Sequence, residues 1–116
     1  MTFQWAYETR AHIDILRISG YVSFNAPDLV VATVGPEVCD SDRPLILDLT
    51  DMAGWGYVGR TAVVNAVSHL AAHRRVRVCA PHDKLTLWAL RDSGFGDMID
   101  ADLDTALTSR LLEESA

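Results

Sequence analysis

The chain has 116 residues, with ten Lys or Arg against sixteen Asp or Glu and a formal net charge of −6. That length suits one domain built on one core, and 49% hydrophobic with 22% charged residues is globular rather than disordered material. The acidic balance argues against a nucleic-acid partner, because no basic excess exists to displace phosphate counterions.

The charge is uneven. Residues 1–58 carry three basic and eight acidic groups, whereas residues 59–116 carry seven and eight. Cys39 and Cys79 lack CxxC spacing and read as inert, reduced thiols. No charged leader with an apolar core opens the chain, and no run approaches ~18 apolar residues. The expectation is a soluble, cytoplasmic protein without direct membrane insertion.

Phe3, Trp5 and Tyr7 alternate with Gln4, Ala6 and Glu8, a period-two strand with one aromatic face. Thr9–Ala11 can turn the chain, and His12–Ser19 returns as a second, antiparallel strand that Gly20 breaks. Pro27 and Asp28 suit the first turn of a helix over about Pro27–Val34, ended by Gly35-Pro36. Residues 40–44 form a polar turn into LILDLT, whose near-continuous apolar character fits a central parallel strand. Gly54, Gly56 and Gly59 lie where the chain must leave the sheet and enter a helix. In that helix Val63, Val67 and Leu70 form one apolar stripe. A helix start beyond a strand's carboxyl end presents unpaired N–H groups, which makes it a recognition site.

The basic residues His73–Arg75 suit the end of this helix. Val76–Ala80 is a short strand stopped by Pro81. Asp83 can cap a helix to about Ser93, with Leu87, Trp88 and Leu90 packing, Gly94 following the C-cap and Phe95 reaching back toward Leu90. Met98-Ile99 gives a last strand, and Asp102 caps a closing helix with Leu103, Ala106, Leu107 and Leu111 as its stripe. The predicted order is β-β-α-β-α-β-α-β-α: one α/β domain spanning 1–116, with a mixed sheet, an N-terminal antiparallel hairpin and alternating α/β units thereafter.

Several segments together, LRISGYV, APDLVV, LILDLTDM and LWALRDSGFGDMIDADLDTAL, resemble a STAS domain, the fold shared by anti-sigma-factor antagonists and the cytoplasmic tails of sulfate transporters. The resemblance runs from the opening hairpin to the final helix. It implies a non-enzymatic module that binds an anti-sigma factor or regulatory kinase in partner switching and the regulation of transcription, with no cofactor. It also admits two alternatives, an accessory subunit of a transporter and a domain that binds a small ligand or anion.

In phospho-regulated members a DSSG segment at the start of the second helix carries the serine that a kinase phosphorylates. Counted without gaps from Asp48, those four positions fall on Gly56, Tyr57, Val58 and Gly59, so only the last glycine survives. No serine lies between Ser41 and Ser68, and the family's phosphosite does not carry over. Thr61 is the nearest aliphatic hydroxyl, and a switch on Thr61 or Tyr57 is the remaining way to add phosphoryl charge here. In place of the serine stand Trp55, Gly56, Tyr57, Val58, Gly59 and Arg60, the predicted partner-binding residues. Trp and Tyr are types enriched at interface hot spots, and Arg60 opposes the helix dipole yet suits an acidic partner group. A second copy of the chain is a further partner in this reading.

His69 and His73 stand four apart on one helix, but a metal site needs a third ligand and none is near. No metal is expected. Asp48 invites an acid/base role, yet its place near a strand end suits a bond to the following loop. Arg74, Arg75 and Arg77 read as a solvated basic face or a local contact for an acidic surface. Nucleophile-elbow, zincin, phosphate-loop and dinucleotide motifs are absent, so no enzymatic activity is expected.

Overall fold

The computed structural model describes residues 3–21, 42–53 and 57–108. The predicted helix over Pro27–Val34, Cys39, Trp55, Gly56 and Leu111 lie outside them.

Strand β1 (Phe3–Arg10) pairs antiparallel with β2 (Ile13–Tyr21), from Phe3↔Gly20 to Arg10↔Ile13. The turn is therefore Ala11-His12, not Thr9–Ala11. Thr9 belongs to the ladder opposite Asp14, and its hydroxyl donates to the Asp14 carboxylate at 2.7 Å. Ala11 takes a positive φ of 57° to close this two-residue connection. Gly20 does not break β2. At φ 92° it gives the strand a bend that other residues resist, and it pairs with Phe3 on one side and Met52 on the other.

Strand β3 (Leu45–Asp48) lies beside β2, and a two-residue strand absent from the prediction, β4 (Met52–Ala53), pairs with the far end of β2. Helix α1 (Tyr57–Ala71) leads to β5 (Val76–Cys79), and α2 (Lys84–Leu90) leads through two tight turns to β6 (Ile99–Asp100). The sheet order is β1-β2-β3-β5-β6, with every pairing after the hairpin parallel. This is the α/β domain expected, with a mixed sheet and an N-terminal antiparallel hairpin.

All four residues of β3 are buried, as a strand covered on both faces requires. Leu45, Leu47 and Leu49 pack with Val63, Val67 and Leu70 of α1 and Leu90 of α2. Ile46 belongs to a second cluster with Ile13, Ile15, Cys79 and Ala106, the last on the closing helical residues 103–108. The predicted stripe of α1 is thus the inner face of one layer. Burying each such side chain is worth about 1.5–3 kcal/mol.

Both predicted aspartate caps form. Asp83 accepts from the Thr86 N–H at 3.0 Å and Asp102 from the Thr105 N–H at 2.8 Å. Helix α2 is shorter than expected. It widens after Leu90 into one π turn over Arg91–Phe95, inside which Gly94 has φ 94°. Phe95 packs against the cluster that contains Leu90. Of the three packing residues predicted on α2, Leu90 is buried and Leu87 half-buried, but Trp88 is 63% exposed. On so short a helix Thr86 and Leu90, four apart, define the inner face, which turns residue 88 outward.

Candidate functional site

The approach to α1 is fixed by Asp48. Its Oδ1 accepts from the Thr50 N–H at 3.1 Å and from the Thr50 hydroxyl at 2.7 Å, and its Oδ2 accepts from Arg17 Nε at 3.2 Å. Asp48 therefore holds the following turn, as expected, and its oxygens are committed. The chain then passes through β4 to the start of α1.

At that start Tyr57 stands 77% exposed. Gly59 is buried and Arg60 half-buried on the first turn, which carries no acidic residue to balance the arginine. Thr61 is exposed, and its hydroxyl donates to the Tyr57 carbonyl at 3.0 Å, a bond internal to the helix.

Tyr57, Arg60, Thr61 and Val64 of α1 face Leu85 and Trp88 of α2 across a groove of about 330 Å³. Its walls are predominantly apolar, and Leu85 is 59% exposed. The start of α1 thus forms one wall of a depression whose other wall is α2. The sequence signal for that second wall was Trp88 itself, a large ring on a helix too short to bury it.

Arg75 is exposed, as a solvated face requires, but Arg74 and Arg77 depart from that expectation. Arg74 follows α1, its N–H bonded to the Leu70 carbonyl at 2.9 Å, and its side chain is fully buried. Its guanidinium donates to Asp14 Oδ2 at 2.7 Å, to the Arg43 carbonyl at 2.6 Å and to the Tyr7 hydroxyl at 3.3 Å. Arg77 pairs with Asp100 at 2.6 Å. Both are drawn inward because a carboxylate buried on a neighbouring strand needs a cation. Burial by itself raises the Asp14 carboxyl, but hydrogen bonds from Tyr7, Thr9, Arg74 and Arg43 outweigh it and hold the group well below the usual carboxylate range. Tyr7 is pushed up, first by its burial.

Cys79 is a buried free thiol, pushed up to about 12 by burial and then by Asp48, Asp100 and Asp102. His69 and His73 are exposed, their rings 5.0 Å apart. Among the described residues no group of three His, Cys, Asp or Glu could hold a metal, and no helix is long and apolar enough to cross a membrane.

The hairpin, the sheet order and the α/β alternation define the STAS fold. An anti-sigma factor antagonist from Mycobacterium paratuberculosis superposes with a TM-score of 0.71 at 22% identity, over 94% of each chain. The unphosphorylated form of the anti-sigma factor antagonist SpoIIAA gives 0.64 at 14% identity, over 95% of this chain and 97% of the other. The phosphorylated form of this Bacillus cell fate determinant gives 0.65 at 15%, over 93% and 99%. No protein-family model and no curated protein matches the sequence.

Proposed function

We propose that the chain is a non-enzymatic regulatory module of the anti-sigma-factor-antagonist kind, which docks an anti-sigma factor or regulatory kinase through residues 54–61. The observation that carries this reading is the placement of exposed Tyr57 and half-buried Arg60 at the head of α1, on a fold similar over nearly its whole length to antagonists that include a phosphorylated form. Trp55, Gly56, Val58 and Gly59 complete the segment.

Docking here does not use the usual serine, since Tyr57 and Val58 occupy the two serine positions. Thr61 is the candidate phosphosite in the same turn. Its bond to the Tyr57 carbonyl must open before the hydroxyl can be modified. Binding rather than catalysis also suits the polar groups, because Asp14, Asp48 and Asp100 are committed to arginines and Cys79 is kept protonated.

The test is affinity for the anti-sigma factor or kinase encoded nearest the gene, measured by calorimetry. Trp55→Ala combined with Arg60→Glu is expected to weaken binding at least tenfold. Unchanged affinity would remove the surface from consideration. Phosphorylation at Thr61 or Tyr57 is checked by mass spectrometry of protein from its native cell.

A further inference from the structure

Among the described residues four large apolar side chains are exposed, namely Trp5, Tyr57, Leu85 and Trp88, and three of them line the groove between α1 and α2. Gathering exposed apolar surface into one concave place is the mark of a binding surface rather than of scattered exposure. Tyr, Trp and Arg are also the side chains that dominate interface energetics, and here Tyr57, Trp88 and Arg60 share one groove.

Charge narrows the occupant. Among the described residues Arg60 is the one charged residue lining the groove, on a chain whose net charge is −6. Half-buried against an apolar wall, its guanidinium favours a planar carboxylate that it can grip with two N–H groups. A trough between two helices with apolar walls suits an amphipathic helix laid along it.

We infer that this groove receives an amphipathic helical segment of the partner, which seats bulky apolar side chains between Val64, Leu85 and Trp88 and sets an Asp or Glu against Arg60. The inference rests on the reading of the chain as a binding module and extends its surface from the head of α1 to α2. Residues 85 and 88 thereby become specificity residues, although they lie outside the stretch that the sequence singled out.

The probe is a synthetic 16-residue helical peptide with Leu and Phe in one stripe and a Glu beside it, titrated into the isotope-labelled full chain. The expected result is a saturable shift of the Trp88 indole N–H, assigned with Trp88→Phe, together with shifts at Arg60 and Val64. Replacing the peptide's Glu by Lys should weaken binding at least fivefold, as should Leu85→Ala or Trp88→Ala in proteins whose circular dichroism is unchanged. Equal binding of the Glu and Lys peptides, or shifts confined to other surfaces, overturns the proposal. So does tight saturation of the groove by decanoate alone, which would make the occupant a small amphiphile. A dimer that Trp88→Ser dissociates, seen by sedimentation, overturns it in favour of a second copy. If the kinase binds but ignores Leu85→Ser with Trp88→Ser, the groove is refuted while the regulatory reading stands. If the peptide binds in the groove and the kinase does not bind at all, the regulatory reading falls and the groove remains.

Discussion

Replacing Arg74 by Met removes a buried cation while keeping most of its volume. The lost contacts include the 2.7 Å bond to Asp14, two bonds to the Arg43 carbonyl and one to Tyr7. Were this an exposed pair, the cost would be about 0–1 kcal/mol. Here both side chains are fully buried, and breaking such a pair leaves an uncompensated charge at a cost of about 3–5 kcal/mol. Arg43 still reaches Asp14 at 2.9 Å, but its side chain is half exposed, which places the expected loss near the lower end. For a domain of this size the Tm should fall by roughly 12–20 °C. The double variant Asp14→Leu with Arg74→Met removes both charges and should recover most of the loss, because an apolar pair of similar volume is often about as stable as a buried ion pair. Urea unfolding of the two single variants and the double variant measures this cycle. A single-variant loss below about 1 kcal/mol, or a double variant as unstable as the sum of the singles, would refute the reasoning.

Four further outcomes follow from the same geometry. The Asp14 carboxyl lies below its unfolded range, so the unfolded chain takes up the proton first as pH falls. Its stabilisation is complete above about pH 5 and is lost progressively below about pH 4, and denaturant titrations should show Asp14→Asn flattening that decline. Asp83→Ala removes the acceptor for the Thr86 N–H and hydroxyl and should cost about 1 kcal/mol in the same assay. Ala11 sits at φ 57° in a two-residue turn, so Ala11→Gly should leave the protein slightly more stable, by up to about 1 kcal/mol, read as a rise in Tm. Cys79, buried and pushed up to about 12, should resist iodoacetamide at pH 8 in the native state and react once unfolded, as peptide mapping would show.

The elements that repeat a strong pattern were legible in the sequence. LILDL and the Val63, Val67, Leu70 stripe announced the central strand and the helix over it, and Asp83 and Asp102 announced two helix starts, because these signals are local. Asp14 went unread although it interrupts apolar residues just as Asp48 does. Its meaning depends on Arg74, 60 residues away, and no local pattern encodes that meeting. The same holds for Trp88, whose outward direction follows from where α2 stops. Strand β4 is only two residues long and exists through its partner Gly20, so periodicity had too little to act on. At the candidate surface, Tyr57 and Arg60 were found from the alignment with a familiar motif. The facing wall, Leu85 and Trp88, arises from packing of α2 beside α1.

Two arginine–aspartate pairs join neighbouring strands of the sheet, and they bear on which strand residues stand opposite which. Strands made of Ile, Leu and Val can slide by two residues and still turn the same faces inward, so apolar patterning leaves such slips nearly equal in energy. Charges do not tolerate them. Arg17 stands opposite Asp48 in the β2–β3 ladder, and Arg77 reaches Asp100 across β5–β6. A two-residue slip between β2 and β3 would part Asp48 from Arg17 and set it opposite Ile15 or Ser19, leaving a buried carboxylate without its cation. The Arg17–Asp48 pair thereby acts as a proofreading code for the β2–β3 alignment, singling out one register among several that the greasy strands would accept.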